Sequence, residues 1–196
     1  PAIIIGVIIG ILVVLNIFSG FFTDLWWFES ISFEEVFWTN IKAEYSLWLI
    51  GFLVFLGFMW LNIRIPLGTE PKSSADPRFE KILESIGKVF NYAVYAGMLF
   101  LAVIMAGFFA SFWQEALMYL NMEGFGVADP VFNNDVGFYV FQLPFIESVR
   151  GWLFALVFLA IVAVFALYII RQGISISAGH ISVSAAAQRH LAILFS

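Results

Sequence analysis

Apart from Arg150 at one edge, charged residues stay out of four stretches of this chain, at about 2–23, 45–63, 89–113 and 150–170. Each approaches the ~20 residues that a helix needs to cross ~30 Å of hydrocarbon. A fifth run opens at about 185–196, where the sequence stops. The pattern therefore predicts an all-α integral membrane protein, a helical bundle with four complete spans, a truncated fifth and interfacial amphipathic helices. With Pro1 in place of an initiator Met, it reads as the front part of something longer.

The segments between the spans are patterned too. In 24–44, Trp26, Trp27, Phe28, Phe33, Phe37 and Trp38 alternate with Asp24, Glu29, Glu34 and Glu35. Trp is favoured at the headgroup level, so the segment predicts a short amphipathic helix lying in the outer interface. The competing reading is an acidic, aromatic-walled vestibule for a cation. In 64–88, the Pro-, Gly- and Ser-containing stretch 66–75 reads as a linker, and Asp76-Pro77 as an N-cap followed by Pro at the first helical position. Phe79, Ile82, Leu83, Ile86 and Phe90 then follow helical spacing, an amphipathic helix that lies on the inner headgroups and runs into span three.

No breaker stands between Val89 and Met122, a length of about 50 Å at ~1.5 Å per residue, so this helix must tilt, project or bend. Ala102, Ala106 and Ala110 form a small-residue stripe suited to face another helix. The segment 114–149 is the second outer interfacial segment. Within it Asp129-Pro130 turns the chain from helix, Asn133-Asn134-Asp135 offers turn and cap chemistry, and the apolar residues from Phe138 to Phe145 require cover. Asp129 and Asp135 are expected to hold backbone N–H groups, a role that needs an acceptor and not a charge. In 171–184, strict alternation on either side of Ala178-Gly179 predicts a hairpin, and Ser184 a cap for the next helix.

Composition agrees with a membrane chain: 62% of the 196 residues are hydrophobic, 12% are charged, and mean hydropathy is +0.97. Basic residues set the expected orientation, since they are retained on the cytoplasmic side. Arg64, Lys72, Arg78, Lys81 and Lys88 lie between spans two and three, and Arg171 and Arg189 after span four, whereas Lys42 is the sole base between spans one and two. The N-terminus, 64–88 and the 171–184 hairpin are then cytoplasmic, in a multi-pass protein of the cell membrane. Gly6 and Gly10 form a GxxxG pair suited to helix packing. None of the polar residues within the spans is ionisable, which weighs against an ion relay in these helices. His180 and His190, the only histidines, read as solvated or interfacial. There is no cysteine and no nucleotide-binding, zinc-protease or hydrolase motif. The sequence thus assigns no catalytic residue, cofactor or metal ligand, and nothing in it suggests a nucleic-acid partner.

Asp24-Leu25-Trp26-Trp27-Phe28-Glu29-Ser30 with Val36-Phe37-Trp38-Thr39 resembles a family of bacterial and archaeal membrane proteins, uncharacterised protein family 0182. The resemblance extends through Asp129-Pro130-Val131-Phe132, the run from Asp135 to Phe141, Leu143-Pro144-Phe145 and, more weakly, His190-Leu191. Ser32 departs from it, standing where the family pattern prefers Gly. The resemblance implies the N-terminal membrane part of a protein with further spans and a large extracytoplasmic C-terminal domain, and no activity. Two functions follow as expectations. One is a membrane anchor and scaffold of a larger cell-envelope protein or complex, in contact with the lipid bilayer, the remaining spans and domain, and other membrane subunits. The alternative is a module of a cation transporter or channel with Asp24, Glu29, Glu34, Glu35, Asp129 and Asp135 at its outer mouth.

Overall fold

The computed structural model describes residues 2–68, 77–171, 173–177 and 180–195. The chain folds as α1 (Ala2–Ser30), α2 (Glu34–Leu67), α3 (Pro77–Ala110), α4 (Trp113–Leu120), α5 (Leu143–Ile170), the strands β1 (Ile174–Ser177) and β2 (His180–Val183), and α6 (Ala185–Leu194). Four stretches, Ile4–Ser30, Glu34–Leu67, Val89–Ala110 and Phe138–Ile170, are long and apolar enough to cross a membrane. The protein is an all-α helical bundle of membrane type.

Three junctions differ from the sequence pattern. Instead of a separate helix across 24–44, residues 24–30 complete α1 and 34–44 open α2. Nothing in either segment interrupts hydrogen bonding, so the same 3.6-residue period that suggests an interfacial helix simply prolongs the long ones. The reversal between them is tight: Ser32 N–H donates to the Glu29 carbonyl (3.1 Å) and Phe33 N–H to the Phe28 carbonyl (2.9 Å), with Ser32 at φ +63°. That is the C-terminal motif in which glycine is favoured, so the backbone here gives a physical reason to expect Gly where Ser32 stands. Likewise the last part of the 114–149 segment is not separate from the next helix: a π-turn at Phe138–Gln142 leads straight into α5, and 143–149 form the first turns of that helix. Pro144, which has no N–H for the carbonyl four residues back, follows directly on this wider turn. The long helix after Val89 bends, at Ser111, whose hydroxyl donates to the Phe108 carbonyl at 2.7 Å.

At the other end, α2 takes in Pro66 and Leu67, the first two residues of the predicted linker. Residues 69–75 of that linker, the Asp76 cap and the Ala178-Gly179 turn lie outside the described residues. β1 and β2 pair antiparallel, Ile174 opposite Val183 and Ser175 opposite Ser182, the register that the alternation requires. Ser184 caps α6, its Oγ accepting from Ala187 N–H at 3.2 Å.

The interior sits between α2, α3 and α5. Phe55, Met59 and Ile63 meet Met98, Ala102, Met105 and Phe109, with Trp152, Leu156 and Ala160 closing the third side. Lipid is as apolar as these side chains, so close van der Waals contact, and not transfer from water, holds them together. Two details show how close. A Cβ on Gly51 would stand 2.6 Å from Phe109 Cβ, and the buried Trp152 indole N–H reaches the Met105 carbonyl at 2.9 Å. Ala102 and Ala106 are wholly buried. α6 returns antiparallel along α5, Ala187 packing with Val164 and Tyr168. α1, in contrast, is held by its last turns, where Phe21 and Phe28 lie 5.4 and 5.7 Å from the buried Phe37 ring.

Candidate functional site

The acidic and aromatic residues singled out in the sequence fall into two groups with different surroundings. Asp24, Trp26, Trp27 and Glu29 lie on the last turns of α1, and Glu34 and Glu35 in the first turn of α2, all exposed. Glu34 and Glu35 face the positive end of the helix dipole, which favours them there without any ligand. With Trp38, Thr39 and Lys42 they border an open recess of about 480 Å³ that includes neither Asp129 nor Asp135. Among the described residues, no three His, Asp or Glu side chains come together as a metal site would need. A Cβ placed on Gly6 or Gly10 would meet nothing within 4 Å, so among the described residues no helix packs against that face.

Asp129 and Asp135 act on their own loop. Asp135 accepts three backbone bonds with both oxygens, Oδ1 from Phe125 (3.0 Å) and Gly137 (2.6 Å), and Oδ2 from Gly126 (2.8 Å). The Phe125 and Gly137 N–H groups, with a smaller contribution from Gly126, hold its carboxyl below the usual aspartate range against the opposing effect of partial burial. Asp129 works through one oxygen: Oδ2 accepts from Val131 (3.3 Å), Phe132 (2.6 Å) and the Tyr139 hydroxyl (3.3 Å). Backbone bonds from Asp129 to the Asn134 carbonyl (2.7 Å) and from Val136 to that of Val127 (2.9 Å) close the loop, with Asn133 at φ +57°. The chain comes so close here that a Cβ on Gly137 would lie 2.6 Å from the Glu123 carbonyl oxygen. Phe125 stacks on Phe141 (5.8 Å) and Tyr119 lies against Phe145 (5.4 Å), giving part of the apolar 138–145 stretch its cover. Val131 and Phe132 project from the tip, exposed.

At the opposite end of α5 lies a polar cluster that the sequence conceals. His190, expected at a solvated or interfacial position, is buried, with 7% of its surface exposed. Its Nε2 lies 3.0 Å from Asn62 Oδ1 and its Nδ1 3.1 Å from the Tyr168 hydroxyl, while Asn62 Nδ2 donates to the Phe58 carbonyl at 2.8 Å. Asn62 Oδ1 can only accept, so Nε2 carries a ring proton; in the neutral imidazole Nδ1 then accepts from the Tyr168 hydroxyl, and both nitrogens are satisfied. The cluster ties α2, α5 and α6 together. Beside it Arg171 donates to Asn91 Oδ1 at 2.6 Å and lies over the Phe90 ring at 5.7 Å, joining the end of α5 to α3. Asn62 and His190 are 128 residues apart, and the only hint in the sequence is a polar Asn inside an apolar run. The side chain of His180 lies outside the described residues.

All 196 residues match the model of the Uncharacterised protein family (UPF0182), and the chain belongs to that family. A UPF0182 protein of Synechococcus sp. (strain JA-2-3B'a(2-13)) is 33% identical over 189 residues, 96% of this chain and 20% of the relative. One from Arthrobacter sp. (strain FB24) is 35% identical over 184 residues, 90% of this chain and 18% of the relative. A third, from Leifsonia xyli subsp. xyli (strain CTCB07), is 28% identical over 194 residues, 96% and 19% respectively. The chain thus spans about a fifth of the length of these curated relatives. No solved structure matches it.

Proposed function

We propose that this chain is the membrane-embedded scaffold of a longer cell-envelope protein, inserted in the cell membrane with its N-terminus in the cytoplasm, and that the aromatic turn and the 121–142 loop form its outer face. The observation that carries the reading is the filled interior: Phe55, Ala102 and Ala160 are wholly buried between α2, α3 and α5, with Met59 and Leu156 nearly so. Scaffolding also suits the polar groups. The Trp152 indole, Asn62 and His190 bond to groups inside the bundle, and Asp129 and Asp135 bond to their own loop. On this reading the partners are lipid, the rest of the full-length chain and other membrane subunits. The test is cation flux by the full-length protein reconstituted in vesicles, where no flux above protein-free vesicles is expected. A flux that disappears on changing Glu34 and Glu35 to Gln would establish the channel reading in its place. Orientation is tested by adding single cysteines to this cysteine-free chain at Ser73 and Asn133, which should label from opposite sides, Asn133 from outside in intact cells.

A further inference from the structure

α6 occupies only part of a stripe on α5. Ala187, Leu191 and Leu194 pack where Val164 and Tyr168 face them, and the same three- and four-residue spacing continues toward the start of α5 through Ile161, Val157, Leu153, Arg150 and Ile146. Those five residues line an apolar groove of about 670 Å³ whose floor is Leu194 and Phe195, the end of α6. We propose that a transmembrane helix continuing α6 lies antiparallel on α5 in this groove and ends at Arg150. Two quantities support a helix in that place. The 10 residues of α6 and about 11 further positions, the distance from Ile161 back to Arg150, make ~21 residues, one membrane crossing. Charge agrees as well, because the far end of such a helix presents unpaired carbonyls and the negative end of its dipole. Arg150 is exposed at that level, on the stripe, with no ion pair to another described residue, so at this edge of the span its charge is free to meet the carbonyl end of a neighbouring helix. Relatives about five times as long have ample chain to supply the helix. The inference does not depend on the scaffold reading.

The experiment places the photoreactive residue p-benzoylphenylalanine at Phe154, which lines the groove, or at Phe158, which does not. Both replacements keep an aromatic ring in an exposed position, so folding is retained. After irradiation of the full-length protein in its native membrane, Phe154 should cross-link to an apolar segment of its own chain following α6, and Phe158 to lipid. Adducts at Phe154 to lipid alone, to a second copy or to another protein would overturn the proposal. Arg150→Glu should lower the intrachain yield at Phe154 severalfold while Arg150→Lys retains it; equal yields in all three proteins would contradict Arg150 as the end point.

Discussion

Helix α1 and the α2–α3–α5 bundle are similarly apolar, yet they are built for different surroundings. From Ile4 to Phe18 the described side chains of α1 are exposed all round, and a Cβ on Gly6 or Gly10 would meet none of the described residues within 4 Å. In the bundle, Gly51 takes Phe109 against its backbone and Trp152 finds a carbonyl. The difference teaches that in lipid neither hydropathy nor small-residue spacing is enough to identify a packed face: the Ala102-Ala106-Ala110 stripe is buried, and the Gly6-Gly10 pair is not. What does is volume complementarity between helices, which becomes visible only when they are side by side.

Substitutions can break or sharpen this contrast. The largest effect is expected for Gly51→Leu, which drives a side chain into Phe109 close to its backbone. Overpacking of this kind costs about 1–3 kcal/mol and sometimes more, measured as lost thermal stability in detergent. Next is Tyr168→Phe, which leaves His190 Nδ1 buried without a donor, at about 1–3 kcal/mol; an unchanged melting temperature would mean that the cluster is hydrated. Ser32→Gly should act in the opposite direction, stabilising by up to about 1 kcal/mol, since the left-handed backbone there strains any side chain. Gly10→Leu should have no effect on the melting of this chain; destabilisation would show a packed α1 and erase the contrast.

Much of the fold was legible because apolar runs of membrane length have few alternatives. That the aromatic segments 24–30 and 138–145 join the long helices is not legible, since a separate interfacial helix and the end of a long apolar helix share one periodicity. The roles of Asp129 and Asp135 could be read from the turn residues beside them, which bring backbone donors within reach. The exception is the idea that Asp135 needs only an acceptor: both of its oxygens are engaged, so an amide in its place turns a donor toward the Gly126 N–H. Asn62 and His190 meet through the packing of α6 on α5 and α2, which no local pattern encodes.

The scaffold account depends most on the outer loop carboxylates serving the backbone and not a cation. Thermal unfolding of the wild type, Asp129→Asn and Asp135→Asn, each with calcium and with chelator, tests this directly. Asp129→Asn should melt close to the wild type, because one amide oxygen can take the place of Oδ2, whereas Asp135→Asn should melt a few degrees lower. Chelator should change none of them. The carboxylate form of Asp135 is the one favoured in the fold, so its contribution is complete above the ordinary aspartate pKa of about 3.9 and is lost as pH falls through its depressed value. The gap between wild type and Asp135→Asn should close in that acid range. Wild-type stability that collapses with chelator, together with equal losses for the two Asn variants, would contradict the account and make the loop a cation site.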